Sequence, residues 1–402
     1  MCGIAGLLGN GSLEDAVSMA SAIGKRGPDG SGDFLSDVEQ ADGSVAFSHA
    51  RLSILDLDGS NQPIHSDHGC VLMVNGEIYN HKKIKSALRD YPFRTAGDSE
   101  VIMALHRKYS SKQYVGENPA QRHIEWVSKL DGMWGFSLWD PNAKELILCR
   151  DPFGIKPLVR TQLSDGTLLF GSEVKAFRAH PDFSAKPDIP ALSVRLAYEY
   201  PLDQTTLFQG VTSVGIGTIE TWSLAEGKAT LTGVAKYWKP RVIPSDNWNP
   251  SISASQLLTS LSDSIQDRLM ADVPVGIVLS GGLDSSLMAA LAHDAADSAG
   301  KPTPECWTVA DSEENVDLQA SILVTKNHDL GHHVHIMDEN TMWKKLPEFV
   351  WNGEDLDISV MFWQSVFEQM KGNVRVGLCG QGADELHAGY SRYRTLTKHS
   401  DI

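Results

Sequence analysis

From about residue 250 the chain alternates short apolar runs with helical stretches, and this alternation constrains its fold more than any other feature. Val275–Leu279 has the length and apolarity of a buried strand, and a loop and an alanine-rich helix from about Ser285 follow it. Further strands are predicted near Cys306–Ala310, His333–Met337 and Val374–Leu378, with helices between them. Such strands pair in parallel through right-handed crossovers, which places ligands beyond the strand C-terminal ends. Ahead of the first strand, Ser253 and Gln256 are spaced as a capping box. Leu257, Leu258, Leu261, Ile265 and Leu269 then fall on one face of a predicted helix.

Up to about residue 180 the pattern is strand-rich instead. Val71–Val74 is predicted to lead into a turn at Asn75-Gly76. Gly135–Asp140, the turn formers Pro141–Lys144 and Glu145–Arg150 read as a hairpin. Prolines and glycines recur from 180 to 250, among them Pro187, Pro190, Gly215, Gly217 and Pro240. That stretch reads as the tail of a first domain (1–218) and a linker (219–250) ahead of a second domain (251–402). At 402 residues, two or three domains are expected. A net charge of −16 excludes a nonspecific nucleic-acid binder, which needs clustered Lys and Arg. No apolar run approaches a membrane span, and no basic region precedes the short apolar N-terminus, so neither a membrane partner nor a signal peptide is expected. Five widely spaced cysteines without a CxxC pair fit free thiols in the reducing cytoplasm.

Cys2 carries the first chemical signal. A small residue after Met1 favours removal of that methionine, which would leave a thiol and a free α-amine on one residue. With unperturbed pKa values of roughly 8.5 and 7.7–8.0, the amine can serve as base for its own nucleophile. This is the logic of an N-terminal nucleophile hydrolase.

The second signal is Leu279-Ser280-Gly281-Gly282-Leu283-Asp284-Ser285-Ser286, at the end of a predicted strand and the start of a helix. Glycines let the backbone approach an anion, serines add donors, and the helix points its positive end at the same place. The Lys-Ser/Thr of a Walker A loop is lacking. Ser-Gly-Gly-x-Asp-Ser looks like the pyrophosphate loop of ATP pyrophosphatases. A second strand end carries Cys379-Gly380-Gln381-Gly382-Ala383-Asp384-Glu385. Asp284 and Asp384 together suit Mg²⁺, which takes one or two carboxylates plus phosphate oxygens and water.

At this point the chain resembles the glutamine-hydrolysing asparagine synthetases, in which a class II glutamine amidotransferase domain precedes the synthetase domain. The resemblance rests on Met1-Cys2-Gly3-Ile4, Arg26-Gly27-Pro28-Asp29-Gly30, His49-Ala50-Arg51-Leu52-Ser53-Ile54 and Asn75-Gly76-Glu77-Ile78-Tyr79-Asn80. It continues through Gly97-Asp98-Ser99-Glu100, Arg150-Asp151-Pro152-Phe153-Gly154 and Ser172-Glu173-Val174-Lys175-Ala176. Beyond these come Asp272-Val273-Pro274-Val275-Gly276, the Ser280 loop, and Gly382-Ala383-Asp384-Glu385 with Gly389-Tyr390. The fold it implies is a two-domain α/β chain: an N-terminal-nucleophile αββα sandwich, then a parallel-sheet ATP-pyrophosphatase-type domain.

The resemblance further implies that Cys2 attacks the side-chain amide of glutamine, with Asn75 and the amide of Gly76 as oxyanion hole. Arg51 would grip the glutamine α-carboxylate, Leu52, Ser53, Ile54 and Leu55 would line the site, and Glu77 and Asp98 would take its α-ammonium group. Ammonia would pass to a second site, where ATP and Mg²⁺ activate aspartate or another carboxylate as its adenylate. There Leu279, Ser280, Gly281, Gly282, Asp284, Ser285, Val309, Cys379 and Gly380 would bind ATP. A homodimer is compatible with this reading.

Two departures stand out. Gln381 occupies a position where these synthetases often carry a Glu thought to handle the proton of ammonia, and Gln cannot act as a base; Cys379 replaces the usual Ser. The sequence also ends at Ile402, short of the family's further helical segment. Besides asparagine synthesis, amidation of a different carboxylate and a glutaminase with an inactive synthetase half are therefore alternatives. Intact Cys2, Arg51, Asn75 and Asp98 argue against a noncatalytic scaffold.

Of the remaining features, His332 is expected on one strand face and His333 and His335 on the other, without the spacing of a metal site together with His328. Trp343, Trp351 and Trp363 read as core or interface residues, and Cys306 as a small buried hydrophobe.

Overall fold

Gly3–Gly9 is buried along its whole length, so this strand (β1) can sit only between two covering layers. The computed structural model describes residues 1–36, 43–110, 116–240, 249–355, 361–387 and 389–390. The chain divides into two units, Met1–Ile243 with Gly353–Leu356, and Pro244–Asn352 with Asp357–Ile402.

In the first unit the strands after β1 are β2 (Gly30–Leu35), β3 (Ser44–Arg51), β4 (Ile64–His65), β5 (Val71–Ile78), β6 (Gly132–Asp140) and β7 (Glu145–Arg150). Then come β8 (Val159–Gln162), β9 (Leu168–Gly171), β10 (Thr212–Ser213), β11 (Thr218–Ala225) and β12 (Lys228–Lys236). They form two six-stranded antiparallel sheets, ordered β10-β8-β9-β1-β3-β2 and β12-β11-β7-β6-β5-β4.

Side-chain alternation sorts these strands into layers. Ile4, Leu8, Val45 and Phe47 of one sheet pack against Val71, Met73, Trp139 and Leu148 of the other. Ala5, Leu7 and Ala46 face outward, onto helices α1 (Leu13–Ala22) and α5 (Val174–Phe177). Leu72, Val74, Phe136 and Leu138 face outward from the second sheet, onto α2 (His81–Ala87), α3 (Val101–Ser110) and α4 (Ile124–Val127). The result is an αββα sandwich. The Pro141–Lys144 hairpin lies where it was expected, joining β6 to β7.

Two expectations need correction. Asn75-Gly76 is no turn: both residues lie inside β5, opposite Gly135 and Trp134 of β6. A Cβ on Gly76 would stand 2.4 Å from the Met133 carbonyl oxygen, so the dipeptide marks close strand approach. The proposed linker is also ordered over much of its length. Residues 218–236 form the β11–β12 hairpin, turned at Glu226 and Gly227 with φ of 51° and 71°, and β11 pairs with β7. Upstream, Pro190 stands in the first turn of α6 (Ile189–Tyr198), where a missing N–H costs nothing, and Asp188 caps it.

The second unit opens with α7 (Pro250–Arg268), capped by Asn249 rather than by Ser253. Only the end of its predicted face is covered: Ile265 and Leu269 are buried, whereas Leu257 and Leu258 are exposed. Next come β13 (Val275–Val278), α8 (Leu283–Ser298), β14 (Glu305–Ala310), α9 (Val316–Asn327) and β15 (His332–Ile336). Helices α10 (Glu339–Gly353) and α11 (Met361–Met370) lead to β16 (Val376–Leu378) and α12 (Ala383–His387). The four strands pair in parallel in the order β15-β14-β13-β16, each within about two residues of its predicted position. Cys306 is fully buried and Trp363 packs on the core, but Trp343 and Trp351 are each half-exposed. His333 stacks on Trp307 and pairs with Glu305, while His332 bonds Thr308 from the opposite face.

Candidate active sites

In the first unit, strand parity gathers the polar residues. Continuing the alternation of β1, Cys2 shares the face of Ile4 and Leu8; Arg51 shares that of Val45 and Phe47, and Asn75 and Glu77 that of Val71 and Met73. All four therefore project between the sheets. The backbone of Leu52 brackets the thiol: its N–H donates to Cys2 Sγ at 3.4 Å, and Sγ donates to its carbonyl at 3.6 Å. Burial pushes the Cys2 thiol up, against the lowering effect of the Leu52 amide. The Met1 α-amine, buried and close to Lys156, is held down at about 5.

Asn75 is fully buried, and neither its side-chain nitrogen nor its oxygen has a partner among the described residues. A buried amide left unsatisfied costs about 1–3 kcal/mol, which a ligand's polar group would recover by pairing with it. Opposite Gly76, Trp134 uses its backbone N–H and C=O on Asp151. The Gly76 N–H is thereby directed to the other edge of β5, where the Val74 N–H is bonded by Gln62. Asn75 and Gly76 thus supply two donors free of strand pairing.

Arg51 is held by the loop that follows it, donating to the carbonyls of Leu57 and Asp56 at 2.8 Å and to Asn61 Oδ1 at 3.0 Å. Three of its five donors are so engaged. Ser53 donates its N–H to Asp29 at 2.8 Å, and Ile54 and Leu55 are partly buried beyond it. Asp98 accepts from the Ile78 N–H at 2.6 Å. Burial, then proximity to Asp98, pushes the Glu77 carboxyl up to about 8, and burial raises Asp98 as well. Two carboxyls sharing a dry site cannot both ionise cheaply.

Two further residues belong here that the sequence reading left without a role. Arg26 donates to the Cys2 carbonyl at 2.9 Å and to Glu173 at 2.5 Å, clamping the strand that carries the thiol. Lys156 is buried with its pKa lowered, chiefly by burial, while Glu77 pulls it back up. The loop presenting it is fixed from both sides: Asp151 accepts from the amides of Phe153, Ile155 and Lys156, and Arg150 donates to the carbonyls of Gly154 and Lys156. The motif Arg150–Gly154 was the signal for it.

In the second unit the candidate site follows from topology. The chain leaves β13 for β14 and β15 on one side and adds β16 on the other, so the sheet's switch point falls between β13 and β16. Both motif loops emerge there. The first is prefolded by its serines: Ser280 and Ser285 hydroxyls lie 2.9 Å apart, and the Ser280 N–H donates to Ser285 Oγ at 3.2 Å. Gly282 begins α8 without any side-chain cap, leaving the positive helix end open. The second loop touches the first: a Cβ on Gly380 would stand 3.1 Å from the Ser285 nitrogen and 3.3 Å from Asp284 Cβ.

Of the other residues expected here, Cys379 is exposed and Val309 partly buried on β14. Asp384 stands in the first turn of α12. Leu279 differs in kind. Its side chain is core, its N–H donates to Trp307 O, and its carbonyl accepts from Thr308, so it can shape a pocket without hydrogen-bonding a ligand.

A part-buried thiol and unpaired amide donors between two sheets, in a chain whose second unit carries a glycine-serine loop at a sheet switch point, fit a glutamine-dependent amidotransferase. Comparison with known proteins agrees. A glutamine amidotransferase domain model matches residues 1–238, and an asparagine synthase model matches residues 256–402. The chain belongs to the glutamine amidotransferase family and joins that domain to an asparagine synthase domain, the architecture of the glutamine-hydrolysing asparagine synthetases.

It is 30% identical to asparagine synthetase 2 of Bacillus subtilis over 97% of this chain and 52% of that protein. To asparagine synthetase 1 of the same organism it is 30% identical, over 98% and 60%. It is also 29% identical to Amidase chry2 of Gibberella zeae, over 95% of this chain and 56% of that protein. The chain thus spans about half to three-fifths of the length of these relatives.

Proposed function

We propose that this chain hydrolyses glutamine at Cys2 and uses the ammonia to convert an ATP-activated carboxylate to its amide, as a C–N ligase whose favoured acceptor is aspartate. The observation that carries the reading is the buried Asn75 amide, unpartnered among the described residues, which projects between the two sheets as the bracketed thiol does. Once Met1 is removed, Cys2 carries a free α-amine beside its own thiol, and in its neutral form this amine is the base. It takes the thiol proton as sulfur attacks the glutamine amide carbon. Asn75 and the Gly76 N–H hold the oxyanion, the same proton leaves on ammonia, and water releases glutamate from the thioester.

In the second unit the amides at the start of α8 and the Ser280–Ser285 loop receive the phosphates of ATP. Mg²⁺, held by Asp284 and Asp384, would neutralise the phosphate charge there. A different acceptor carboxylate is the second reading, favoured by Gln381 and by the similarity to an amidase. To separate the two, the chain is given Mg-ATP and ammonium with aspartate or a panel of other carboxylates, and pyrophosphate and amide are assayed. Asparagine with stoichiometric pyrophosphate supports the first reading. Amide formed only on another carboxylate replaces it with the second, and pyrophosphate from none of them overturns the ligase reading.

Glutamine recognition has its own signature. In the free site the Glu77–Asp98 pair retains a proton at pH 7, since Glu77 sits at about 8. A bound α-ammonium favours both carboxylates ionised, so glutamine binding releases a proton below about pH 8 and none well above it. Calorimetry on Cys2→Ala at pH 7 in two buffers of different ionisation heat reads this directly. A buffer-independent heat contradicts the assignment of Glu77.

A further inference from the structure

Away from the Cys2 site, on the outward face of the second sheet, stand Cys70, His106 and Asp140. Cys70 immediately precedes β5 and Asp140 ends β6, and both share the outward parity of Leu72 and Leu138. His106 comes down onto them from α3. All three are at least nine-tenths buried, and one ligand atom from each lies within 4.8 Å of the other two. His106 Nε2 and Asp140 Oδ2 are 3.6 Å apart. They line a cavity of about 370 Å³ that His68, Arg107 and Asn142 also border.

We propose that Cys70, His106 and Asp140 form a binding site for a Zn²⁺-class ion, with the fourth coordination position open to this cavity. One sulfur, one imidazole and one carboxylate are the borderline donors that Zn²⁺ takes, and ligands at 2.0–2.3 Å around a tetrahedral ion stand roughly 3.3–3.8 Å apart. The His106–Asp140 edge already has that length, and the remaining donors, within 4.8 Å of one another, need close by no more than about 1–1.5 Å.

Charge also favours the assignment. A thiolate and a carboxylate cancel the two charges of the ion, which makes a neutral cluster fit for burial. Without the ion, burial pushes the Cys70 thiol up to about 12 and His106 down to about 4. The imidazole is therefore already in its ligating form, and the ion must displace the thiol proton to solvent. Supporting groups fix two of the ligands. Asp140 Oδ1 accepts from the amides of Asn142 and Ala143 at 2.9 and 3.2 Å, leaving Oδ2 for the ion. The His106 ring stacks on His123, which is itself held by Glu145 and Trp126. Of the positive groups nearby, Arg107 lies over the Tyr91 ring and Arg122 pairs with Glu145 at 2.6 Å.

The test uses the full chain as Cys2→Ala, stripped with chelator and titrated with Co²⁺ as probe and then Zn²⁺. One equivalent of Co²⁺ with a thiolate charge-transfer band and tetrahedral visible bands is expected, displaced by Zn²⁺. Cys70→Ser should abolish the charge-transfer band, and His106→Gln should weaken Zn²⁺ by more than the ~10–100-fold that loss of an outer-shell partner costs. Cys379→Ser, which removes the exposed thiol, should change neither. The site is overturned if no charge-transfer band forms before any ligand is replaced, or if the band survives Cys70→Ser and vanishes with Cys379→Ser. The first of these outcomes needs no ligand variant to fold.

Discussion

Cys2→Ala is expected to lower glutamine-dependent turnover by about 10⁴–10⁶-fold, the scale on which removal of a covalent nucleophile registers, while ammonium-dependent pyrophosphate release stays at the parent rate. The separation follows from structure: Cys2 belongs to the inter-sheet face of the first unit, and the Ser280 loop lies in the second. Asn75→Ala should fall between, at roughly 10²–10³-fold, because it removes one oxyanion donor and leaves the Gly76 amide and the nucleophile in place. Glutamate release and pyrophosphate release, measured on the same preparations, check both. A parent-like glutaminase rate in Asn75→Ala would show that its unpaired amide is idle. A loss of both activities in Cys2→Ala would mean that the thiol supports the fold rather than the chemistry.

The second unit was legible because its strands are short, mostly apolar (β15 with its three histidines apart) and flanked by helices, so the predicted Cys306–Ala310 run returns as Glu305–Ala310. Local signals failed where pairing between strands overrides them. Asn-Gly is a strong hairpin dipeptide, yet at Asn75-Gly76 the chain stays extended because β6 continues alongside and Trp134 leaves no room for a Cβ. The β11–β12 hairpin is missed because prolines and glycines recur from 180 to 250 and suggest a linker, while Thr218, Glu220 and Thr221 interrupt the apolar alternation. They are buried, with Glu220 paired to Arg160 at 2.6 Å and bonded by the Trp222 indole. Polar residues that meet inside a sheet disguise the alternation on which strand reading depends.

The candidate sites divide in the same way. Cys2 and the Ser280 loop carry their chemistry within a few consecutive residues and could be read directly. Lys156 could not: the Arg150–Gly154 motif marks its loop, but only the fold shows that Asp151 and Arg150 turn that loop back and bury the ammonium near Glu77. The trio Cys70, His106 and Asp140 is equally invisible. Its members are far apart in the chain, and only the pairing of Val71 with Trp139 and the seating of α3 bring them together.

Gly281→Ala and Gly282→Ala, one residue apart, are expected to fail for opposite reasons. Gly281 has φ of +87°, and a Cβ there would lie 2.0 Å from the Asp317 carbonyl oxygen. Alanine must therefore adopt a left-handed conformation and also push α9 away from the loop. The two effects should cost the second unit about 2–4 kcal/mol and lower pyrophosphate release by about 10²-fold or more, because a loop shifted by about 1 Å no longer aligns the phosphates. Gly282 has φ of −66° and ψ of 165°, ordinary values for any residue. A Cβ there meets nothing closer than Ser280 Oγ at 3.5 Å. Gly282→Ala should then keep the parent's thermal unfolding. If glycine stands there to let phosphate approach the backbone, its KM for ATP rises steeply all the same. Unfolding curves and ATP saturation curves on the two variants distinguish a glycine that the fold requires from one that the ligand requires. A parent-like KM in Gly282→Ala would remove the phosphate from the start of α8, and with it the pyrophosphate-loop reading of this sheet's switch point.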